Sequence, residues 1–185
     1  MSYEKNINKI ASSIRDVPDF PKKGIVFKDI TPVLSDINLF RKSIDLMVEP
    51  FTENKIDVVV GIESRGFIFG TPIADKLNAS FVPVRKPGKL PHETEQISYQ
   101  LEYGKDSLEI HKDSINEGQN VLIVDDLLAT GGTAEATCKL VSKLKGNISG
   151  FVVLIELEFL EGRKKLNQYN VHSICLLYTS PSPRD

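Results

Sequence analysis

The stretch VLIVDDLLATGGTAEA, residues 121 to 136, decides how this chain is read. Its unbroken apolar start is what a parallel strand buried on both faces requires. The run ends in Asp125 and Asp126, and Thr130-Gly131-Gly132-Thr133 then opens a helical pattern over about 133 to 145. Glycines let backbone N–H groups converge, threonine hydroxyls add donors, and a helix N-terminus carries partial positive charge, so Ala129 to Thr133 suit a phosphate monoester. Carboxylates aimed at the same phosphate would repel it. Asp125 and Asp126 fit instead as acceptors for neighbouring hydroxyls, and a phosphorylated sugar offers a 5-phosphate for the turn and vicinal 2- and 3-hydroxyls for the acids. Neither GxxxxGK[ST] nor GxGxxG is present, so the common nucleotide loops are excluded.

Outward from this stretch, strands and helices alternate. DVVVGI (57 to 62), SFVPV (80 to 84), GFVVLIELE (150 to 158) and VHSICLLY (171 to 178) read as strands, and GFIFGTPIADKL (66 to 77) as a helix. Upstream, Ile7, Ile10, Ile14 and Val17 predict a short helix stopped by Pro18, and FPKKGIVFKDITPVL (20 to 34) reads as extended or looped. Phe40, Ile44, Met47 and Phe51 predict a second helix, capped by Ser35 or Asp36 and ended by Pro50. Between Arg85 and Gly118, alternation around Gly104-Lys105-Asp106 predicts an antiparallel hairpin, an insertion of the kind that carries function. The whole reads as an α/β fold with a mainly parallel central sheet and helices on both faces.

With 185 residues the chain has room for one core, expected over 1 to 178; TSPSPRD (179 to 185) reads as a disordered tail and resembles a translated cloning adapter. A formal net charge of -2 gives no electrostatic reason to expect nucleic acid as a partner. No signal peptide and no apolar segment of about 18 residues is found, so no membrane partner and a cytoplasmic location are expected. Cys138 and Cys175 lack metal or disulfide spacing and read as small buried side chains; His92, His111 and His172 have no partner spacing and receive no chemistry.

VLIVDDLLATGGT resembles the signature of the type I phosphoribosyltransferases. GIESRGFIFG (61 to 70), FVPVRKPGKLP (81 to 91), SYQLEYGKDSLEIH (98 to 111) and FPKKGIVFKDITPVL (20 to 34) are similar to the adenine branch of that family, and the likeness runs from about residue 7 to about 177. The resemblance implies the type I fold, with an N-terminal hood over about 1 to 34 and a closing loop and hairpin over 86 to 111. It implies transfer from 5-phosphoribosyl-1-pyrophosphate (PRPP) to adenine through an oxocarbenium-like transition state, giving AMP and pyrophosphate. Asp125, Asp126, Ala129, Thr130, Gly131, Gly132 and Thr133 would bind PRPP or AMP. Glu63, Ser64, Arg65, Gly66, Arg85, Lys86 and Lys89 would serve pyrophosphate. Val26, Phe27 and Lys28 would wall the purine, with Lys28 standing where many relatives carry arginine. Glu102, Arg65 and Lys86 are the implied catalytic residues, and Tyr103 closes over the site. Mg²⁺ held mainly by substrate oxygens, rather than by a protein cage, and a homodimer are implied as well. Two other readings keep the fold: transfer to a different purine or pyrimidine base, against which FPKKGIVFKDI argues, and a PRPP sensor without catalysis.

Overall fold

The computed structural model describes residues 2–101 and 104–178. Five strands form one parallel sheet: β3 (Val58–Ile62), β4 (Ser80–Val84), β7 (Asn120–Leu128), β8 (Asn147–Leu157) and β9 (Val171–Leu177), in the order β4-β3-β7-β8-β9. The alternation of side chains splits the core in two. Val58, Val60, Val121, Ile123, Phe151 and Val153 face α5 (Gly132–Lys143) and the hairpin of β5 (Thr94–Gln100) and β6 (Lys105–His111). Val59, Leu122, Val124, Val152 and Leu154 face α1 (Tyr3–Ser13), α2 (Thr31–Leu34), α3 (Ile37–Val48) and α4 (Arg65–Lys76). Both faces are thus dry, which is why these strands read as continuous apolar runs. Each fully buried phenylalanine, such as Phe51, Phe69 or Phe151, adds roughly 1.5–3 kcal/mol.

Strand order positions the site. From β3 the chain steps outward to β4, then returns to β7 on the other side of β3 and proceeds outward through β8 to β9. The connections leaving β3 and β7 therefore diverge, and a crevice opens above their C-terminal ends, the place where open α/β sheets bind ligands. The pairing of Gly61 with Val124 fixes the two ends side by side.

Asp36 caps α3 as anticipated, its carboxylate accepting from the amides of Asn38 at 2.8 Å and Leu39 at 3.2 Å. Cys138 and Cys175 are buried. The N-terminal reading needs correction. The first helix closes at Ser13 rather than running to Val17, with the hydroxyls of Ser12 and Ser13 donating to the Lys9 carbonyl. Arg15–Pro18 is instead β1, paired antiparallel with β2 (Val26–Asp29), which lies within the segment expected to be extended or looped; in that same segment Thr31–Leu34 is a helical turn. The amide of Gly24 donates to Asp19 at 2.7 Å inside the connecting turn. Periodicity missed this hairpin because Val17 and Phe27 find each other across a turn, not along a helix face. β7 also extends to Leu128, since β8 keeps pairing with it through Leu128 and Glu156. Residues 102 and 103 and the expected tail, 179–185, lie outside the described residues.

The first turn of α4 lies against β7 only because residue 66 is glycine: a Cβ there would sit 2.8 Å from the Val124 carbonyl oxygen. Backbone cannot yield as a flexible side chain does. Gly66→Ala should therefore cost about 1–3 kcal/mol and lower the melting temperature by roughly 2–10 °C in a calorimetric scan; an unchanged melting temperature would refute the close approach.

Candidate active site

A cavity of about 440 Å³ opens in the crevice above β3 and β7. Its wall joins Glu63, Ser64 and Arg65 from the turn after β3, Lys86 from the loop after β4, and the continuous stretch from Asp125 to Ala134. The structure thus brings together the acids, the glycine turn and the ESR segment that the sequence separates by about 60 residues.

The glycine turn is built by backbone. Gly131 adopts φ +82°, a left-handed conformation that suits glycine, and a Cβ on it would meet the Gly162 carbonyl oxygen at 2.5 Å. A Cβ on Gly162 would in turn lie 2.2 Å from the Ala129 carbonyl oxygen. Gly131 is also the N-cap of α5 and has no side chain to occupy the first-turn amides, which remain for an anion. Gly162 is itself held by its neighbour. Arg163 forks onto Glu156, Nε to Oε1 at 3.0 Å and Nη2 to Oε2 at 2.5 Å, and donates through Nη1 to the Val171 carbonyl at 2.8 Å. Burial pushes the Glu156 carboxyl up, but Arg163 and the Ser173 hydroxyl outweigh it and hold it below the usual range.

The two acids differ. Asp126 is 5% exposed and accepts from Arg65 Nε at 2.5 Å. Asp125 accepts the Asp126 amide at 2.8 Å, and burial together with the Asp126 charge pushes its carboxyl well above the usual carboxylate range. Arg65 also lies over the Phe27 ring, 5.5 Å from the centroid, so the β2 segment meets the cavity through this guanidinium. Arg65, the expected pyrophosphate cation, is paired with Asp126 in this arrangement. The Lys28 ammonium turns away to Asp16 at 2.5 Å across the β1–β2 pair. Its side chain therefore presents no cation to the cavity.

Glu63 collects the basic cluster. Its carboxylate accepts from Lys89 Nζ at 2.5 Å, Arg85 Nη2 at 3.3 Å and the Lys86 amide at 2.7 Å. Arg85 and Lys89 are thus drawn toward the cavity rim by an acid. Burial pushes the Glu63 carboxyl up, yet these donors prevail and its pKa falls to about 2. The Glu63–Ser64 peptide bond is cis. The Lys86 ammonium pairs with Asp106, which also accepts from the Tyr99 hydroxyl at 3.3 Å. Glu102 and Tyr103 lie outside the described residues. His92 and His111, left without partners by spacing, come together at the foot of the hairpin, the His92 amide 3.3 Å from His111 Nε2.

Tyr99, Asp106 and Gly162 escaped the sequence reading. The β5–β6 register places Tyr99 opposite Asp106, so Lys105 and Asp106 belong to a strand rather than to the turn expected at Gly104-Lys105-Asp106, and that register was the signal for two of them. Nothing local marks Gly162.

The phosphoribosyl transferase domain model matches residues 33–178. The adenine phosphoribosyltransferase of Thermoanaerobacter sp. (strain X514) is 56% identical over 168 residues, covering 91% of this chain and 97% of its own. The crystal structure of adenine phosphoribosyltransferase from Thermoanaerobacter pseudethanolicus superposes with a TM-score of 0.90 at 54% identity, covering 92% of this chain and 99% of that one. That of the Saccharomyces cerevisiae enzyme, complexed with an imino-altritol bisphosphate and adenine, gives 0.87 at 44% identity over 92% of this chain and 99% of that one.

Because the folded pKa of Glu63 is depressed to about 2, its contribution to stability is present above the unfolded value near 4.5 and is lost as pH falls toward 2. Urea unfolding of the wild-type chain and Glu63→Gln across this range should give a stability difference that shrinks on acidification. A difference independent of pH would show that the carboxylate is not held charged.

Proposed function

We infer that this chain, which belongs to the phosphoribosyl transferase family, is an adenine phosphoribosyltransferase, joining adenine to PRPP with release of pyrophosphate in purine salvage. The observation that carries the reading is the convergence in one cavity of a backbone-lined anion turn at the N-terminus of α5 with a carboxylate pair one loop away. The amides of Ala129 to Thr133 would take the 5-phosphate, and Asp125 and Asp126 the ribose hydroxyls. A diol arriving at Asp126 competes with Arg65, and the released guanidinium is then free to meet pyrophosphate leaving from C1. Lys86, on the cavity wall, supplies a second cation on that side. Held this way, the anomeric carbon has one open face, and positioning rather than covalent chemistry lowers the barrier. Val26 to Lys28 would bound the base through backbone groups, a role supported by the engagement of the Lys28 side chain with Asp16. The catalytic role of Glu102 and the closing role of Tyr103 rest on the resemblance.

The residues present suit a Mg²⁺ ion that arrives with substrate. Among the described residues no group of three or more His, Cys, Asp or Glu gathers around a common point, and Asp126 is engaged with Arg65. When bound, the ion neutralises pyrophosphate charge, and Asp125 and Asp126 would hold it indirectly through the ribose oxygens. We also propose a homodimer and a cytoplasmic location. No helix among the described residues is long and apolar enough to cross a membrane.

Following AMP formation spectrophotometrically with adenine, hypoxanthine, guanine and uracil, with and without Mg²⁺, tests the reading; turnover confined to adenine and dependent on the metal is expected. Turnover with another base assigns a different branch, and PRPP binding without turnover assigns a sensor. Asp126→Asn should raise KM for PRPP about 10- to 100-fold, the worth of hydrogen bonds to a charged group, and an unchanged KM would remove the acid from the ribose site.

A further inference from the structure

The glycine turn is braced from two sides, and only one brace is purely backbone. Opposite Gly162, the hairpin presents Tyr99: a Cβ on Gly132 would rest 3.4 Å from Tyr99 Cδ2, and the Tyr99 hydroxyl lies 3.1 Å from Thr133 Oγ1. Tyr99 is partly buried against the core cluster formed with α5. Its hydroxyl also donates to Asp106 at 3.3 Å, and Asp106 is fixed by the Lys86 ammonium and by the Ser107 amide at 2.8 Å. A chain of contacts therefore runs from the loop after β4, through the hairpin, to the hydroxyl at the mouth of α5.

Proton bookkeeping gives this chain a direction. A phosphate monoester offers acceptors, so Thr133 must donate its own proton to bind one. Its oxygen is then free to accept, and the neighbouring phenol supplies the donor. Tyr99 has a single proton, so donating it to Thr133 across the shorter 3.1 Å contact requires the hydroxyl to rotate away from Asp106, which keeps the Lys86 ammonium and the Ser107 amide as donors.

Building on the reading of the cavity as a phosphoribosyl site, we propose that Tyr99 is a positioning residue: its hydroxyl, presented from the hairpin beside Asp106, orients the Thr133 hydroxyl toward the 5-phosphate. It touches no reacting atom. Its effect is confined to the phosphate end of the substrate and passes through Thr133.

Tyr99→Phe keeps the ring against Gly132 and removes only the hydroxyl. In steady-state kinetics this variant should raise KM for PRPP roughly 3- to 10-fold while KM for adenine stays within about two-fold, the loss expected for one hydrogen bond. Calorimetric titration with ribose 5-phosphate, which needs no turnover, should weaken by the same factor with an unchanged melting temperature. In a Thr133→Val background, Tyr99→Phe should have no further effect, and Thr133→Ser should retain the wild-type response. The proposal is overturned if Tyr99→Phe leaves ribose 5-phosphate binding unchanged, if it shifts both substrates equally, or if its effect adds in full to that of Thr133→Val. Failure of the unmodified chain to bind ribose 5-phosphate overturns both this proposal and the reaction. If that chain forms no AMP while Tyr99→Phe still weakens ribose 5-phosphate, the reaction assignment falls and the positioning role stands.

Discussion

Parallel pairing of β3 with β7, with Gly61 opposite Val124, is the constraint on which the site depends. Every group in the cavity reaches it from a connection leaving one of these strands or from a segment packed on such a connection. If the two strands were not neighbours, the turn at Glu63–Arg65 and the turn at Ala129–Thr133 would emerge on separate parts of the molecule. Because the chain departs from them in opposite lateral directions, the connections leaving β3 and β7 diverge from the space above their ends. Gly66 adds a second condition, since its missing side chain lets α4 start directly beside β7.

Within that frame, charge is balanced before any substrate arrives. Asp126 is matched by Arg65, Glu63 by Lys89 and Arg85, and Asp106 by Lys86. Partly buried ions without partners would be costly, so the pairs keep the unliganded fold stable. The same pairs connect function to structure, because a polyanionic substrate and a sugar diol are the partners for which these cations and acids can be exchanged. Glu63 illustrates the compromise. It gathers three donors at the rim of the cavity, and its own charge offsets theirs until a stronger anion competes.

Much of this was legible in the sequence, and the limit is physical. The parallel strands announced themselves because two-sided burial forces a continuous apolar run, as in VLIVDD and VVVGI. The anion turn was legible because its chemistry is local: glycine geometry, hydroxyls and a helix start all lie within residues 129 to 133. What escaped depends on segments distant in the chain. β1 was hidden in an apparent helical period, because the partner that makes Arg15–Pro18 a strand lies beyond a turn. The pairing of Arg65 with Asp126 joins residues 61 positions apart, and the backbone contact of Gly162 with Ala129 leaves no mark on residue type. Tyr99 and Asp106 lay between these cases, since an accurate hairpin register would have set them face to face.

The central claim is that one turn of backbone grips the phosphate while the adjoining carboxylates hold the sugar. A crystal structure of the chain with bound AMP tests it most directly. The account predicts the 5′-phosphate within hydrogen-bond reach of the amides of Ala129 to Thr133 and the ribose hydroxyls at Asp125 and Asp126. A nucleotide seated away from this turn, or reversed so that its base lies there, would contradict it.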